Sequence, residues 1–111
     1  MRNLLITLFV LPFLTFAQSP CDAQVCVVQF NASWNESNSV DYLDKLTDCE
    51  VMNVNIDEGT YQSDYEIVVV PTIIVFNGKE VERFQANIMM QMDATRKDVQ
   101  NVVDEIIYSD F

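Results

Sequence analysis

Apolar and polar positions along this chain switch between two periods, and the switches mark its elements. Val25–Phe30 is a short Val-rich run with little polar alternation, which predicts a strand buried on both faces. Asn31–Asn38 reads as a loop. Asn38 or Ser39 can then cap a helix, with Asp41 favourable in its first turn. Val40, Leu43 and Leu46 share one face at helical spacing, so a helix to Leu46 is expected. Glu50–Ile56 alternates, with Met52, Val54 and Ile56 on one side, and predicts a second strand. Asp57-Glu58-Gly59 turns the chain, Thr60–Tyr65 suits a short helix, and Ile67–Val70 is apolar up to Pro71. Thr72–Phe76 and Lys79–Phe84 flank Asn77-Gly78, the signature of a tight hairpin. A loop with Ile88, Met89 and Met90 follows. The last helix is expected from Asp93, as its cap, to Tyr108, burying Val99, Val102, Val103 and Ile106.

The N-terminus changes this picture. Met1–Ala17 has one early positive charge, an apolar run and then Thr15-Phe16-Ala17, the pattern of a secretory signal peptide cleaved after Ala17. The expected organisation is a signal peptide at 1–17, an exposed leader at 18–24 and one domain at 25–111, in a secreted or periplasmic protein. The alternative is a membrane anchor at residues 4–17, but that run is short for a bilayer span and contains Pro12. Cleavage removes Arg2 and leaves five basic against seventeen acidic side chains, a net charge of −12. Nucleic acid and anionic membrane surfaces are therefore poor partners, no nucleic-acid partner is expected, and no stable membrane span is expected after cleavage.

The chemistry is sparse. There is no His, which removes the usual general base and the commonest metal ligand. The three cysteines, Cys21, Cys26 and Cys49, form no Cys-x-x-Cys, and a zinc site would lack its remaining ligands. No metal or cofactor is expected. Asn31-Ala-Ser33 and Asn35-Glu-Ser37 are glycosylation sequons if the chain passes through a eukaryotic secretory route.

Three segments resemble the thioredoxin family. Val27-Val-Gln-Phe-Asn-Ala-Ser-Trp34 is similar to the strand that leads into that family's Trp-Cys-x-x-Cys loop. Met52-Asn-Val-Asn-Ile-Asp57 is similar to the next strand. Tyr65-Glu-Ile-Val-Val-Val-Pro-Thr-Ile-Ile-Val-Phe-Asn-Gly-Lys79 resembles the cis-proline segment, its strand and its turn. The resemblance covers Val25 to Ile107. It implies a minimal thioredoxin-like α/β fold, with a four-stranded mixed sheet flanked by helices and the family's first strand and helix absent. The Glu50–Ile56 strand would lie at one edge, Val25–Phe30 beside it, and the hairpin beyond.

The departures bear on function. The two catalytic cysteine positions fall on Asn35 and Asn38, and an amide can neither attack a disulfide nor resolve one. No catalytic residue is therefore expected. The family's buried acid falls on Gln29 and its Lys partner on Asn53, two amides that can satisfy each other. By resemblance, Trp34, Asn35, Asn38, Val70 and Pro71 would border a peptide-binding groove, with Pro71 cis. Trp34 reads as a groove wall or as a lid on the core. Met89, Met90 and Met92 read as an apolar rim or as packing. If the first two strands are parallel neighbours, Cys21 and Cys49 start close together, and a structural Cys21–Cys49 disulfide is expected with Cys26 as buried filler. Cys26–Cys49 is the competing pair. The expected function is redox-inactive binding of a peptide or protein. The alternatives are a thiol–disulfide oxidoreductase or thiol-holding protein using Cys21, Cys26 or Cys49, and a structural subunit of an assembly.

Overall fold

The computed structural model describes residues 18–109. The expected signal peptide lies outside the described residues. Four strands form one sheet in the order β2-β1-β3-β4. They are β1 (Val25–Asn31), β2 (Glu50–Asn55), β3 (Thr72–Asn77) and β4 (Lys79–Gln85). β1 runs parallel to β2 and antiparallel to β3, and β3 is antiparallel to β4. The sheet is therefore mixed, as expected. Its two central strands are the Val- and Ile-rich ones, and every residue of β1 is buried. Helix α1 (Tyr61–Asp64) is a single turn and α2 (Arg96–Ser109) is the long C-terminal helix.

The pleat sends alternate side chains to opposite faces. Val25, Val27, Ile73 and Val75 meet Leu43, Leu46 and the Val99, Val103 and Ile106 stripe of α2. Cys26, Val28, Phe30, Ile74 and Phe76 meet Ile67 and Val70 on the other face. There Tyr65 packs its ring 5.0 Å from Phe30 and 5.8 Å, edge-on, from Phe76. Each fully buried Val or Ile is worth ~1.5–3 kcal/mol, so these two layers position everything else. The hairpin turns on Gly78 at φ +82°, where a Cβ would sit 3.2 Å from the Gln24 amide nitrogen. Glycine is the residue that suits both constraints.

Two helix expectations are corrected. The segment after β1 is not an α-helix to Leu46. It forms two 3-10 turns, Ser33–Asn38 and Leu43–Lys45, separated by extended Ser39 at ψ 142°. Distant side chains compete for its groups. The Val40 N–H donates to Gln29 Oε1 (2.8 Å), and Ser39 Oγ accepts from Asn31 Nδ2 (2.7 Å). Val40, Leu43 and Leu46 still reach one core cluster. The last helix begins at Arg96 rather than Asp93. Thr95 and Asp98 form a reciprocal capping pair, Thr95 N–H to Asp98 Oδ2 at 2.9 Å and Asp98 N–H to Thr95 Oγ1 at 3.3 Å. Asp93 instead accepts from Asn87 Nδ2.

The expected Cys21–Cys49 disulfide is also corrected, because the structure pairs Cys21 with Cys26. The reason is side-chain direction. Cys26 and Cys21 belong to one face of the sheet, and Cys49 packs on the other, beside Val25. Proximity of chain starts does not bring side chains together across a pleated sheet. Cys26 is thus buried as expected, but bonded rather than free. The leader is exposed at Gln18 and at 22–24 but held in place. Gln18 bridges Lys79 and its carbonyl accepts from Tyr65 Oη at 2.7 Å, while Ser19 N–H donates to the Gly78 carbonyl.

Candidate functional site

At the C-terminal end of β1 the chain builds a knot of amides. Asn31 closes the strand. Its Oδ1 accepts the Ala32 N–H at 2.9 Å, and its Nδ2 donates to the Asn35 carbonyl at 3.0 Å. Asn35 is only 5% exposed. Its Nδ2 faces three acceptors: Asn31 Oδ1 at 3.2 Å, the Val70 carbonyl at 3.2 Å and the Met90 carbonyl at 3.3 Å. Its Oδ1 accepts from Asn38 Nδ2 at 2.8 Å. One side chain therefore ties the end of β1 to two distant loops. Among the described residues no buried side-chain polar atom lacks a partner.

Those loops are themselves locally determined. The Val70–Pro71 peptide is cis. Thr72 Oγ1 donates to the Val69 carbonyl at 2.7 Å, and Ala86 N–H to the Pro71 carbonyl at 3.1 Å. In the second loop, Asn87 Oδ1 accepts from Met89 N–H at 2.8 Å and Gln91 N–H at 3.2 Å, an Asx-type turn that places Met90 at φ +61°.

Around this knot lies an open groove of about 250 Å³ between Trp34, the Val68–Val70 segment and Ile88 with Met90. No charged residue lines it. Trp34 is 66% exposed, Val68 75% and Ile88 98%. Contiguous exposed apolar side chains of this kind mark interaction sites more often than chance packing. Trp34 and Val70 line the groove, whereas Asn35 lies buried behind it and Pro71 is enclosed in the core. Asn38 supports Asn35 from the side and does not line the groove. Met90 is a rim residue, and Met92 packs against the core on the α2 side. Val68 and Ile88 are groove residues to which the sequence assigns no site role. Nothing in a short apolar run before a proline, or in an apolar loop, announces which of its residues will be left uncovered.

Behind the loop, Gln29 Nε2 donates to Asn53 Oδ1 at 2.9 Å, the neutral pairing expected of these two amides. Ser33 donates both its N–H (3.1 Å) and its hydroxyl (2.6 Å) to Asp57 Oδ2, which holds that carboxyl below the usual range. Both sequon asparagines, Asn31 and Asn35, are buried with their amide nitrogens donating. Neither Nδ2 is presented to solvent in the folded chain.

The sulfurs lie elsewhere. Cys26 is the second residue of β1 and Trp34 follows its end, so the disulfide is roughly 20 Å from the groove along the strand. Cys49 keeps a free, half-buried thiol, and burial followed by the charge of Asp48 pushes its pKa from 9.0 to about 11. A thiol so shifted is almost wholly protonated at neutral pH and is a poor nucleophile. Alkylation of the native protein by iodoacetamide is expected to be slow at pH 7.5 and to rise about tenfold per pH unit until about pH 11. A rate that levels off near pH 9 would show an ordinary, exposed thiol. The sign for stability is the same. The folded-state value is raised, so the stability from the neutral thiol is present below pH 9 and is lost between 9.0 and about 11.

No protein-family model and no curated protein sequence matches the chain. Its fold is shared by solved thioredoxins. A mutant thioredoxin of Halobacterium salinarum is 25% identical, with TM-score 0.57, over 76% of this chain and 75% of that one. Schistosoma mansoni thioredoxin is 20% identical, with TM-score 0.58, over 78% and 80%. Fasciola hepatica thioredoxin is 23% identical, with TM-score 0.53, over 74% and 80%. With this strand order, a cis proline facing the loop after β1 and these likenesses, the chain has a thioredoxin-like fold.

Proposed function

We propose that this chain is an exported thioredoxin-like module without the redox dithiol, and that its groove binds an extended apolar segment of a peptide or protein. Asn35 carries the reading. By resemblance it stands where a thioredoxin has its attacking cysteine, and its amide is committed to the Val70 and Met90 carbonyls. That position therefore serves to fix the shape of the groove. Asn38, at the second cysteine position, orients Asn35 through its Oδ1. An amide pair in these places supports binding and offers no thiolate for disulfide exchange. The oxidoreductase alternative has less support: its remaining sulfurs are a Cys21–Cys26 disulfide far from the groove, with Cys26 buried and Cys21 half-buried, and a protonated thiol.

Trp34 is the single tryptophan and sits on the groove wall, so its emission reports occupancy. Titration with a blocked hexapeptide of valine and leucine is expected to blue-shift the emission saturably. Val68→Asp and Ile88→Asp alter exposed side chains and are expected to leave stability within ~0.5 kcal/mol, yet to weaken binding about tenfold or more. In parallel, the protein is expected to leave insulin reduction by dithiothreitol at its background rate. An unshifted emission spectrum across the titration would defeat the binding reading. Accelerated insulin reduction would defeat the loss of redox chemistry.

A further inference from the structure

The two edges of the sheet are built differently. β4 carries Lys79, Glu80, Glu82 and Arg83 within seven residues, and its ladder with β3 slips between Val75 and Phe76. Charge and irregularity of this kind keep other strands from adding. β2 has neither. Its six residues, Glu50-Val-Met-Asn-Val-Asn55, include one charge, no proline and an unbroken register with β1. Among the described residues no strand pairs its outer side. Val51 and Met52, on opposite faces, are each only half covered. A further strand would cover both.

Beside this edge opens a cavity of about 570 Å³. Asn53 and Asn55 of β2 line it with Gln29, Ser39, Glu36 and Asp41. Its charged lining is acidic, with no basic residue. The amides and carboxylates supply acceptors, and the volume suits one long side chain. On an added strand, the residues beside Asn53 and Asn55 would point to this same face.

We infer that the outer edge of β2 is a strand-addition site for an extended segment of another protein bearing an arginine or lysine, whose cation enters the cavity lined by Glu36 and Asp41. Backbone pairing supplies the affinity and the basic side chain sets the register. Charge complementarity selects this occupant over a second copy of the chain. Self-pairing would bring together two edges with the same acidic rim, in a chain of net charge −11.

The test uses the whole chain and a blocked eight-residue peptide of alternating valine and threonine with one central arginine. Amide shifts on titration are expected at Val51–Asn55. Replacing the arginine by glutamate, or N-methylating alternate peptide residues, is expected to weaken binding at least about tenfold. Asp41→Lys, at an exposed position, is expected to weaken it about fivefold or more, and 0.5 M salt to weaken it measurably. Val68→Asp is expected to leave it unchanged, which separates this edge from the Trp34 groove. The inference fails if β2 amides do not shift, if N-methylation has no effect, or if Val68→Asp abolishes the response. It fails equally if the same shifts appear with protein concentration alone, since the occupant would then be a second copy.

Discussion

Asn35→Ala is expected to lower the stability of the folded chain by ~2–4 kcal/mol. The substitution deletes an amide that donates toward Asn31 Oδ1 and the Val70 and Met90 carbonyls and accepts from Asn38 Nδ2. The site is 5% exposed, so the orphaned groups cannot all turn to water. Leaving a buried acceptor unpaired costs about 1–3 kcal/mol, and the cluster is disturbed at more than one point. Asn35→Asp is expected to be worse at neutral pH, because a carboxylate would face three oxygens. Urea unfolding with an unchanged m-value measures both variants. A loss below ~0.5 kcal/mol for Asn35→Ala would mean that the amide network holds nothing together. The same substitution tests the proposed groove. Freed from Asn35, the two loops bordering it lose their common anchor, and hexapeptide binding is expected to weaken even under conditions where the variant is fully folded.

The second large effect is expected at Gln29, which is 2% exposed, donates to Asn53 Oδ1 and accepts the Val40 N–H. Gln29→Glu is nearly isosteric. When protonated, the new side chain can still donate one hydrogen to Asn53 and accept from Val40. When ionised, it turns acceptor toward the Asn53 Oδ1 acceptor at a position that is 2% exposed. Burial raises the folded-state pKa of such an acid above its ordinary value of about 4.3. A raised value means that stability is fully present below about pH 4 and is lost as pH rises through the folded-state pKa. The variant is expected to lie close to the parent at pH 4 and ~2–4 kcal/mol below it at pH 7. Adding Asn53→Lys, at an exposed edge position, is expected to restore more than half of the loss at pH 7 by supplying a cation. A pH-independent deficit would instead point to a packing defect.

The strands and the hairpin were legible because each rests on a local signal, and the strand order followed from the family resemblance. The Val-rich run of β1 suits burial on both faces and the alternation of β2 suits half cover. Asn77-Gly78 fixed the turn. The stretch from Ser39 to Leu46 was misread as a helix because its apolar spacing is helical. Its Val40 N–H, however, is claimed by Gln29 and its Ser39 hydroxyl by Asn31, residues that lie on a strand and carry no sign of that partnership in sequence. Asp93 is a good cap by residue type alone, but Thr95-x-x-Asp98 carries the reciprocal capping pattern and starts the helix. Cys21 was assigned to Cys49 by the position of chain starts, whereas the pleat faces it toward Cys26.

The candidate site divides in the same way. Trp34, Asn35, Asn38 and Val70 could be named from a resemblance, and the exchange of two cysteines for amides already argued against disulfide chemistry. That Asn35 would be buried and reach Val70 and Met90, that Val68 and Ile88 would stand uncovered, and that an acidic cavity would open beside β2 could not be named. Periodicity and turn chemistry are properties of neighbours in the chain, and the sequence alone is enough for them. Burial, exposure and hydrogen bonds between residues more than thirty positions apart depend on which face each strand turns and on which loop crosses above it. Those follow only once the sheet has closed over its two cores, which is why the fold was readable before the site was.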